Sequence, residues 1–396
     1  MDMSTTEVET PPRHVTVLGS TGSVGSNTVE LIAHQPGSFV VEALTANRNV
    51  EALAEQARQL RPHMAVVADQ ACYQELKKAL GGTGIELAAG SDAVIEAAGR
   101  PAEWVMASIV GAAGLRPTLT AVQRGAVVAF ANKECLISAG QVMVAEIERS
   151  GATLLPVDSE HSAIFQVFDF DHADKVDRII LTASGGPFRT LETVAMETVT
   201  PEQAVAHPNW DMGAKISVDS ATMMNKGLEL IEAYHLFPVE KNQIDILVHP
   251  QSVVHSLVEY VDGSVLAQLG TPDMRTPIAY ALGWPKRMAT SAPRLRLEEV
   301  RELTFEAPDP DRFPALALAR QALETGGAAP TILSAANEIA VQSFLAREIG
   351  FLDIVRTVAQ TLDKAPNGGL NTLDDVHQAD ATARGIARDL ISGRAR

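Results

Sequence analysis

Val15-Thr16-Val17-Leu18-Gly19-Ser20-Thr21-Gly22-Ser23-Val24-Gly25 decides the fold. A short apolar run enters a glycine-rich turn and leaves into Thr28–Ala33, which reads as a helix. The glycines permit a tight turn, close approach of backbone to a pyrophosphate, and close helix–strand packing. The helix start then offers free N–H groups and the positive end of its dipole to phosphate. The spacing is GxxGxxG rather than GxGxxG, and a glycine turn alone could be purely structural. Its place after a strand and at the front of a βαβ series favours nucleotide binding, with Thr21, Gly22, Ser23 and Val24 as contacts.

Outward from this turn the rhythm repeats. Phe39–Thr45 reads as a strand and Val50–Leu60 as a helix. Met64–Ala68, Ile85–Ala88, Trp104–Ile109, Val127–Phe130 and Thr153–Val157 continue the series with helical stretches between. Such alternation implies an α/β fold with a doubly wound, Rossmann-like parallel sheet covered on both faces. It is assigned to residues 14–157, after a polar, flexible tail over 1–13. Beyond 157 the rhythm breaks. Ile179–Thr182 and Ile244–Val248 read as strands, and Val253–Tyr260 and Val265–Leu269 flank Asp262-Gly263, a hairpin turn signal. Residues 158–290 are therefore expected to form an α+β catalytic part with antiparallel pairing. Residues 291–314, rich in Pro and charge, read as a linker, and 315–396 as a C-terminal helical bundle with Leu316, Ala319, Leu323 and Ile354, Val358, Leu362 at helical spacing.

Composition limits the functions available. Of 396 residues, 46% are apolar and 20% charged, which excludes a disordered or fibrous chain. With 32 Lys and Arg against 49 Asp and Glu, the formal charge is −17, which disfavours nucleic acid or an anionic membrane as partner. No uncharged apolar run approaches the roughly 20 residues of a spanning helix. The polar, acidic start reads as neither signal nor transit peptide. Cys72 and Cys135 have no metal-like or redox-like spacing, so a reducing cytoplasm is expected.

Against this acidic background, a few residues point to chemistry. Asp158 and Glu160, in Asp158-Ser159-Glu160-His161, follow the last strand at the end where open α/β sheets place ligands. Two hard carboxylates suit Mg²⁺ or Mn²⁺, although such a pair is more often a helix cap. Asn225, Lys226 and Glu229 share one region of a helix expected to open near Asp219-Ser220 and could be an exposed ion pair or a site for a phosphorylated polyol with a metal. Ser184 follows a strand in a Ser-Gly-Gly loop, and Ser220 is read as a helix start, both able to present N–H and hydroxyl to an anion. The second strand ends in Thr45-Ala46-Asn47-Arg48-Asn49 with no acid for a ribose 2′-hydroxyl, and Arg48 suits a 2′-phosphate, so NADP(H) is favoured over NAD.

Taken together in chain order, Gly19–Gly25, Ala131-Asn132-Lys133-Glu134, Pro156–Ile164, Ala183–Arg189, His207–Lys215, Ile216–Gly227 and Val248–Ser256 make the sequence resemble the 1-deoxy-D-xylulose 5-phosphate reductoisomerase family. The resemblance implies an NADP-dependent oxidoreductase that isomerises and reduces 1-deoxy-D-xylulose 5-phosphate to 2-C-methyl-D-erythritol 4-phosphate for isoprenoid precursors. It implies NADPH and one divalent cation (Mg²⁺, Mn²⁺ or Co²⁺) as cofactors. Asp158, Glu160 and Glu229 would hold the cation. Ser184, His207, Ser220, Asn225 and Lys226 would hold the phosphate, with Ser159 also on the substrate. Lys133 would contact substrate hydroxyls, and Asn132, Glu134, Asn47, Arg48, Asn49 and Gly213 would lie on the cofactor side. The family's pattern often reads Gly-Lys-Asn where this chain has Asn47-Arg48-Asn49.

The resemblance also makes His207–Lys215 a lid, with Trp210 over the substrate and Met212 near the nicotinamide. Met274 fits two readings, a lining residue of the same pocket or a core methionine. His161 and His255 are expected to support the site indirectly. Cys135 reads as a buried helix residue rather than a nucleophile. A cytoplasmic homodimer is expected, the hairpin Val253–Leu269 supplying its interface. The Asn-Lys pair alone also fits a homoserine or semialdehyde dehydrogenase, and the fold alone a nucleotide-sensing regulator. Neither of those requires three convergent carboxylates and a phosphate cluster.

Overall fold

A computed structural model describes residues 11–207, 210 and 212–394. Strands β1 (Arg13–Leu18), β2 (Phe39–Ala46), β3 (Met64–Val67), β4 (Glu86–Ala89), β5 (Trp104–Ala107), β6 (Val127–Phe130) and β7 (Thr153–Pro156) form one sheet in the order β4-β3-β2-β1-β5-β6-β7. Every pairing in it is parallel. The register places Val15 beside Val41 on one side and Trp104 on the other. Runs such as Met64–Val67 and Trp104–Ala107 are buried at every position, as strands covered on both faces must be. The order reverses at β1, and the glycine turn leaves the carboxyl end of that strand, the switch point where such sheets take ligands. Arg13, placed in the tail by the sequence reading, opens β1 and donates to the Leu282 carbonyl at 2.9 Å; residues 1–10 lie outside the described set.

Two glycines fix that turn. Gly19 has φ +82°, a conformation that costs other residues strain. A Cβ on Gly25 would stand 2.1 Å from the Gly19 carbonyl oxygen, so the helix Ser23–Ala33 can approach only with glycine there. Gly22 is the N-cap of that helix and supplies no side-chain cap.

The second sheet comprises β8 (Val176–Ala183), β9 (Ile244–Val248), β10 (Val254–Tyr260) and β11 (Val265–Leu269) in the order β11-β10-β8-β9. The hairpin β10–β11 turns at Asp262-Gly263, with Gly263 at φ +83° and Asp262 accepting from the Ser264 N–H. The expected antiparallel pairing holds for β10 with both neighbours, but β8 and β9 run parallel. Among the described residues four α-helices lie in the long crossover between β8 and β9, and such a connection returns the chain in the same direction.

Packing crosses the sequence divisions. The helix Arg275–Gly283 packs on the first sheet: Trp104 Nε1 donates to the Ala281 carbonyl at 3.0 Å, and Ile278 and Leu282 join the cluster of Val15 and Leu31. The 291–314 segment forms an isolated antiparallel bridge to the edge of β9, Glu306 to Val248. One apolar cluster runs from Ile179 and Leu181 through Leu228 to Ala319, Leu333 and Phe344, so the second sheet and the C-terminal helices share a core. Those helices span Ala315–Thr325, Ala329–Leu345, Phe351–Lys364 and Leu373–Arg394.

Candidate active site

A cavity of about 220 Å³ opens between the carboxyl end of the first sheet and the second sheet. The chain reaches it at several points. Ser23 and Val24 come from the glycine turn. Lys133 opens the helix Lys133–Ser150 after β6. Asp158, Ser159 and Glu160 follow β7, where Asp158 is the N-cap of the helix Ser159–Val167. Ser184 follows β8, and Trp210, Met212 and Gly213 come from the segment before the helix Ala214–Ala221. Ser220 closes that helix, and Asn225, Lys226 and Glu229 lie on the next, Met224–Leu236.

The sequence reading placed Ser220 at the start of the helix that carries Asn225. Instead two helices meet there, and Ser220 sits in the last turn of the first. Met223 breaks the run at φ +63°, a left-handed conformation with neither Gly nor Pro to mark it in the sequence. The break turns Met224–Leu236 so that Asn225 and Lys226 emerge in its first turn beside Ser220. Ser220 therefore offers its hydroxyl to the cavity but has no free helix-start N–H groups.

The charged groups are packed against each other. Lys133 Nζ lies 2.8 Å from Asp158 Oδ2, 2.8 Å from Asn225 Oδ1 and 3.4 Å from Glu229 Oε1. Lys226 Nζ lies 3.0 Å from Glu160 Oε1 and also contacts Glu229 Oε2. Asn225 Nδ2 donates to Glu229, and Ser159 Oγ to Glu160 Oε2 at 2.6 Å. Glu229 is fully buried and Lys226 3% exposed. Burial, then the nearby Glu160 carboxylate, push Glu229 up to about 7. Lys133 is held well above its ordinary value: burial opposes its charge, but Asp158 and Glu229 outweigh that. Asp158 is held low against burial, chiefly by Lys133.

One oxygen from each of Asp158, Glu160 and Glu229 lies within 4.8 Å of the others, a spacing that a single cation can bridge. The donor set is three hard carboxylates, which suits Mg²⁺ or Mn²⁺ rather than a thiophilic ion. Two ammonium groups face these three carboxylates, so with all three ionised, as cation binding requires, one negative charge is left uncompensated within the cluster. The residues present therefore fit a divalent cation.

Beneath the cluster, His161 is fully buried, with Nδ1 3.2 Å from Glu232 Oε2 and Nε2 3.0 Å from the Glu229 carbonyl. Burial works against its charge, but Glu232 outweighs it and raises the imidazole to about 9. His161 thus braces the helix of Glu229 and does not line the cavity, as expected. At the other end, Ser184 Oγ lies 2.9 Å from His207 Nε2, whose Nδ1 accepts from the Trp210 N–H at 3.0 Å. Trp210 packs near His255, ring centroids 6.2 Å apart. Pro208, Asn209 and Asp211 of the expected lid lie outside the described residues.

The expected cofactor contacts divide into two groups. Ser23, Val24, Gly213, Met212 and Met274 line the cavity, and Gly22 and Thr21 belong to the adjoining turn. Arg48, Asn49, Asn132 and Glu134 are engaged elsewhere. Arg48 Nε donates to Asp69 at 2.7 Å, and Asn49 caps the helix Val50–Leu60 through the Ala52 N–H. Asn132 Nδ2 donates to the carbonyls of Ile109 and Gly111, and Glu134 faces Lys215 at 3.3 Å. Asn47 stands at the tip of β2, its carbonyl accepting from the Asp69 N–H. Cys135 is buried, and burial followed by Glu134 pushes its thiol far up, in line with an unreactive helix residue. The sequence reading gave no role to Ser252, which lines the cavity, and expected only indirect support from His255, which also lines it. Ser252 carries φ +52°, a backbone signal invisible in sequence.

A family model described as 1-deoxy-D-xylulose 5-phosphate reductoisomerase matches residues 15–140, and two models for its C-terminal domains match 154–237 and 269–386. The reductoisomerase of Rhodospirillum centenum is 68% identical over 96% of this chain and 94% of its own length. That of Zymomonas mobilis is 57% identical over 94% of this chain and 96% of its own. A solved structure of the Zymomonas mobilis enzyme in complex with NADPH superposes with TM-score 0.93 at 55% identity, covering 96% of this chain and 99% of that one. A DOX-P reductoisomerase in complex with NADPH, fosmidomycin and magnesium superposes with TM-score 0.91 at 41% identity, covering 96% and 98%. The chain belongs to the 1-deoxy-D-xylulose 5-phosphate reductoisomerase family.

Proposed function

We propose that this chain converts 1-deoxy-D-xylulose 5-phosphate into 2-C-methyl-D-erythritol 4-phosphate, using NADPH and a divalent cation, on the route to isoprenoid precursors. The observation that carries this reading is the convergence of Asp158, Glu160, Glu229, Lys133 and Lys226 in one cavity beside the glycine turn. A homoserine or semialdehyde dehydrogenase needs no such cluster, and that alternative is not favoured.

Each group has a role that its position supports. Asp158, Glu160 and Glu229 would hold the cation, which supplies Lewis-acid polarisation of the substrate oxygens, while NADPH supplies the hydride. Lys226, Asn225, Ser220, Ser184 and His207 surround the end of the cavity suited to a phosphate and bring a positive charge to an acidic protein. Lys133, nearest both Asp158 and Asn225, is placed to orient hydroxyl groups between the carboxylates and the glycine turn. Ser159, hydrogen-bonded to Glu160, faces the same substrate. Trp210 and Met212 cover the carbon skeleton and exclude water from the reduction. Gly22, Ser23 and Val24 would receive the pyrophosphate, and Arg48 the 2′-phosphate once released from Asp69. Glu134 and Asn132 stand on the cofactor side of Lys133.

The same reading includes a cytoplasmic homodimer. β11 lies at the edge of its sheet with Val265 and Leu266 about half exposed, and an unpaired apolar edge favours pairing with a second copy. Among the described residues no helix is long and apolar enough to cross a membrane.

The test is direct. Purified chain with 1-deoxy-D-xylulose 5-phosphate, NADPH and Mn²⁺ should oxidise NADPH, and a chelator should stop it reversibly. Turnover that survives metal removal overturns the metal assignment, and no turnover with this substrate overturns the reading.

A further inference from the structure

The cavity's two ends are carried by different helices. Lys133 and Glu134 open Lys133–Ser150, and Ser220 closes Ala214–Ala221. A third helix, Ala329–Leu345 in the C-terminal region, reaches both through fully buried polar side chains. Thr331 Oγ1 donates to the Ser138 carbonyl of the first helix at 2.9 Å. Asn337 Nδ2 donates to Asp219 Oδ1 of the second at 2.7 Å. Between those two helices Lys215 closes the circuit, its Nζ 2.9 Å from Asp219 Oδ2 and 3.3 Å from Glu134 Oε1.

None of Thr331, Asn337, Asp219 and Lys215 lines the cavity. Yet Asp219 precedes Ser220, and Glu134 follows Lys133. We infer that Asn337 is a positioning residue: through Asp219 and Lys215 it fixes the spacing between the phosphate end and the reducing end of the site. The inference rests on the function proposed above.

The chemistry explains why polar groups serve here. Asp219 is 1% exposed and Glu134 7% exposed, so two carboxylates are buried around one ammonium group. Buried charges demand partners at fixed geometry, whereas apolar contacts tolerate sliding. Asn337 holds one Asp219 oxygen while Lys215 holds the other, which leaves the carboxylate one orientation. Without Asn337, Asp219 and Lys215 can rotate together, and Ser220 moves relative to Lys133. A misplacement of about 1 Å between reacting partners can cost roughly a hundredfold in rate. Thr331, acting on a backbone carbonyl, anchors the same helix to the other wall.

Asn337→Leu removes the amide while keeping the branching at Cγ. Turnover should fall roughly tenfold, with KM for the phosphorylated substrate changed less than about threefold, because the phosphate-binding side chains remain. Lys215→Met should also lower turnover, and the double variant should be little worse than the poorer single, because both act through Asp219. Multiplying losses, or an Asn337→Leu enzyme within about twofold of the parent, overturn the inference. Asn337→Ser carries the same test if leucine prevents folding. Amide exchange, which needs no turnover, separates this from the functional reading. Residues 133–138 and 214–221 should exchange faster in the variant while β1 and β5 keep their protection. Unchanged exchange at those helices overturns the inference even if the parent proves to have another substrate.

Discussion

The glycine turn and the carboxylate cluster face the same cavity but are made of different material. At the turn, binding capacity comes from backbone: Gly19 and Gly25 bring a strand and a helix within contact, and Gly22 leaves the helix start uncapped by any side chain. At the cluster, it comes from side chains delivered by elements far apart in sequence. Lys133, Asp158, Asn225 and Glu229 come from three separate helices or helix caps. The backbone site is therefore broken by adding atoms, whereas the side-chain site is broken by removing charge. The two failures should also be separable, because each end has its own ligand.

The sharpest break is at the carboxylates. Asp158→Asn, Glu160→Gln and Glu229→Gln keep shape and remove one charged donor each. Each should lower turnover at least roughly a hundredfold, about 2.7 kcal/mol of transition-state stabilisation. Metal titration should show weakened Mn²⁺ binding, while NADPH affinity, measured by fluorescence, stays near that of the parent. A variant with near-parental turnover would drop its residue from the ligand set. Loss of NADPH binding in all three would show that the two ends are not separable after all.

The complementary break is Gly25→Ala. Its Cβ would stand 2.1 Å from the Gly19 carbonyl oxygen and 2.6 Å from Ser20 Cα, both backbone, so the turn must open. The expected cost in stability is about 1–3 kcal/mol, as for other overpacked sites. NADPH affinity should fall more than about thirtyfold while Mn²⁺ binding survives. A parental NADPH affinity would mean that the turn is a structural device and the cofactor is held elsewhere.

The same contrast explains what could be read from the sequence. The parallel sheet was legible because strands buried on both faces need unbroken apolar runs, and Val127–Phe130 has the boundaries expected. The hairpin was legible because Asp262-Gly263 names its own turn. The carboxylates were legible as chemistry only when Asp158, Glu160 and Glu229 were considered together, since each alone resembles a cap or surface acid. The break at Met223 was not legible, because its left-handed conformation is imposed by packing around a residue with no local preference for it. The parallel pairing of β8 and β9 was hidden for a similar reason: strand direction depends on the path of the helices between them. Nor did the sequence divisions reveal that Arg275–Gly283 returns to the first sheet, because an apolar helix face does not say which surface it covers.

Arg48 offers the finest test, because it is a side-chain contact at the backbone-built end. It stands at the tip of β2, three-quarters exposed, paired with Asp69. An exposed pair of this kind is weakly held, so a 2′-phosphate could take the guanidinium without great cost. If that exchange occurs, NADPH should be preferred to NADH by at least roughly tenfold in specificity, and Arg48→Ala should narrow the gap. Asp69→Asn should do the reverse, freeing Arg48 and improving NADPH affinity by a few-fold, with NADH affinity unchanged. Equal use of both cofactors by the parent would assign Arg48 to Asp69 alone. The end of the cavity nearest β2 would then discriminate by backbone shape, as the rest of the turn does, and the contrast between the two ends would be stricter than this chain's charge pattern suggests.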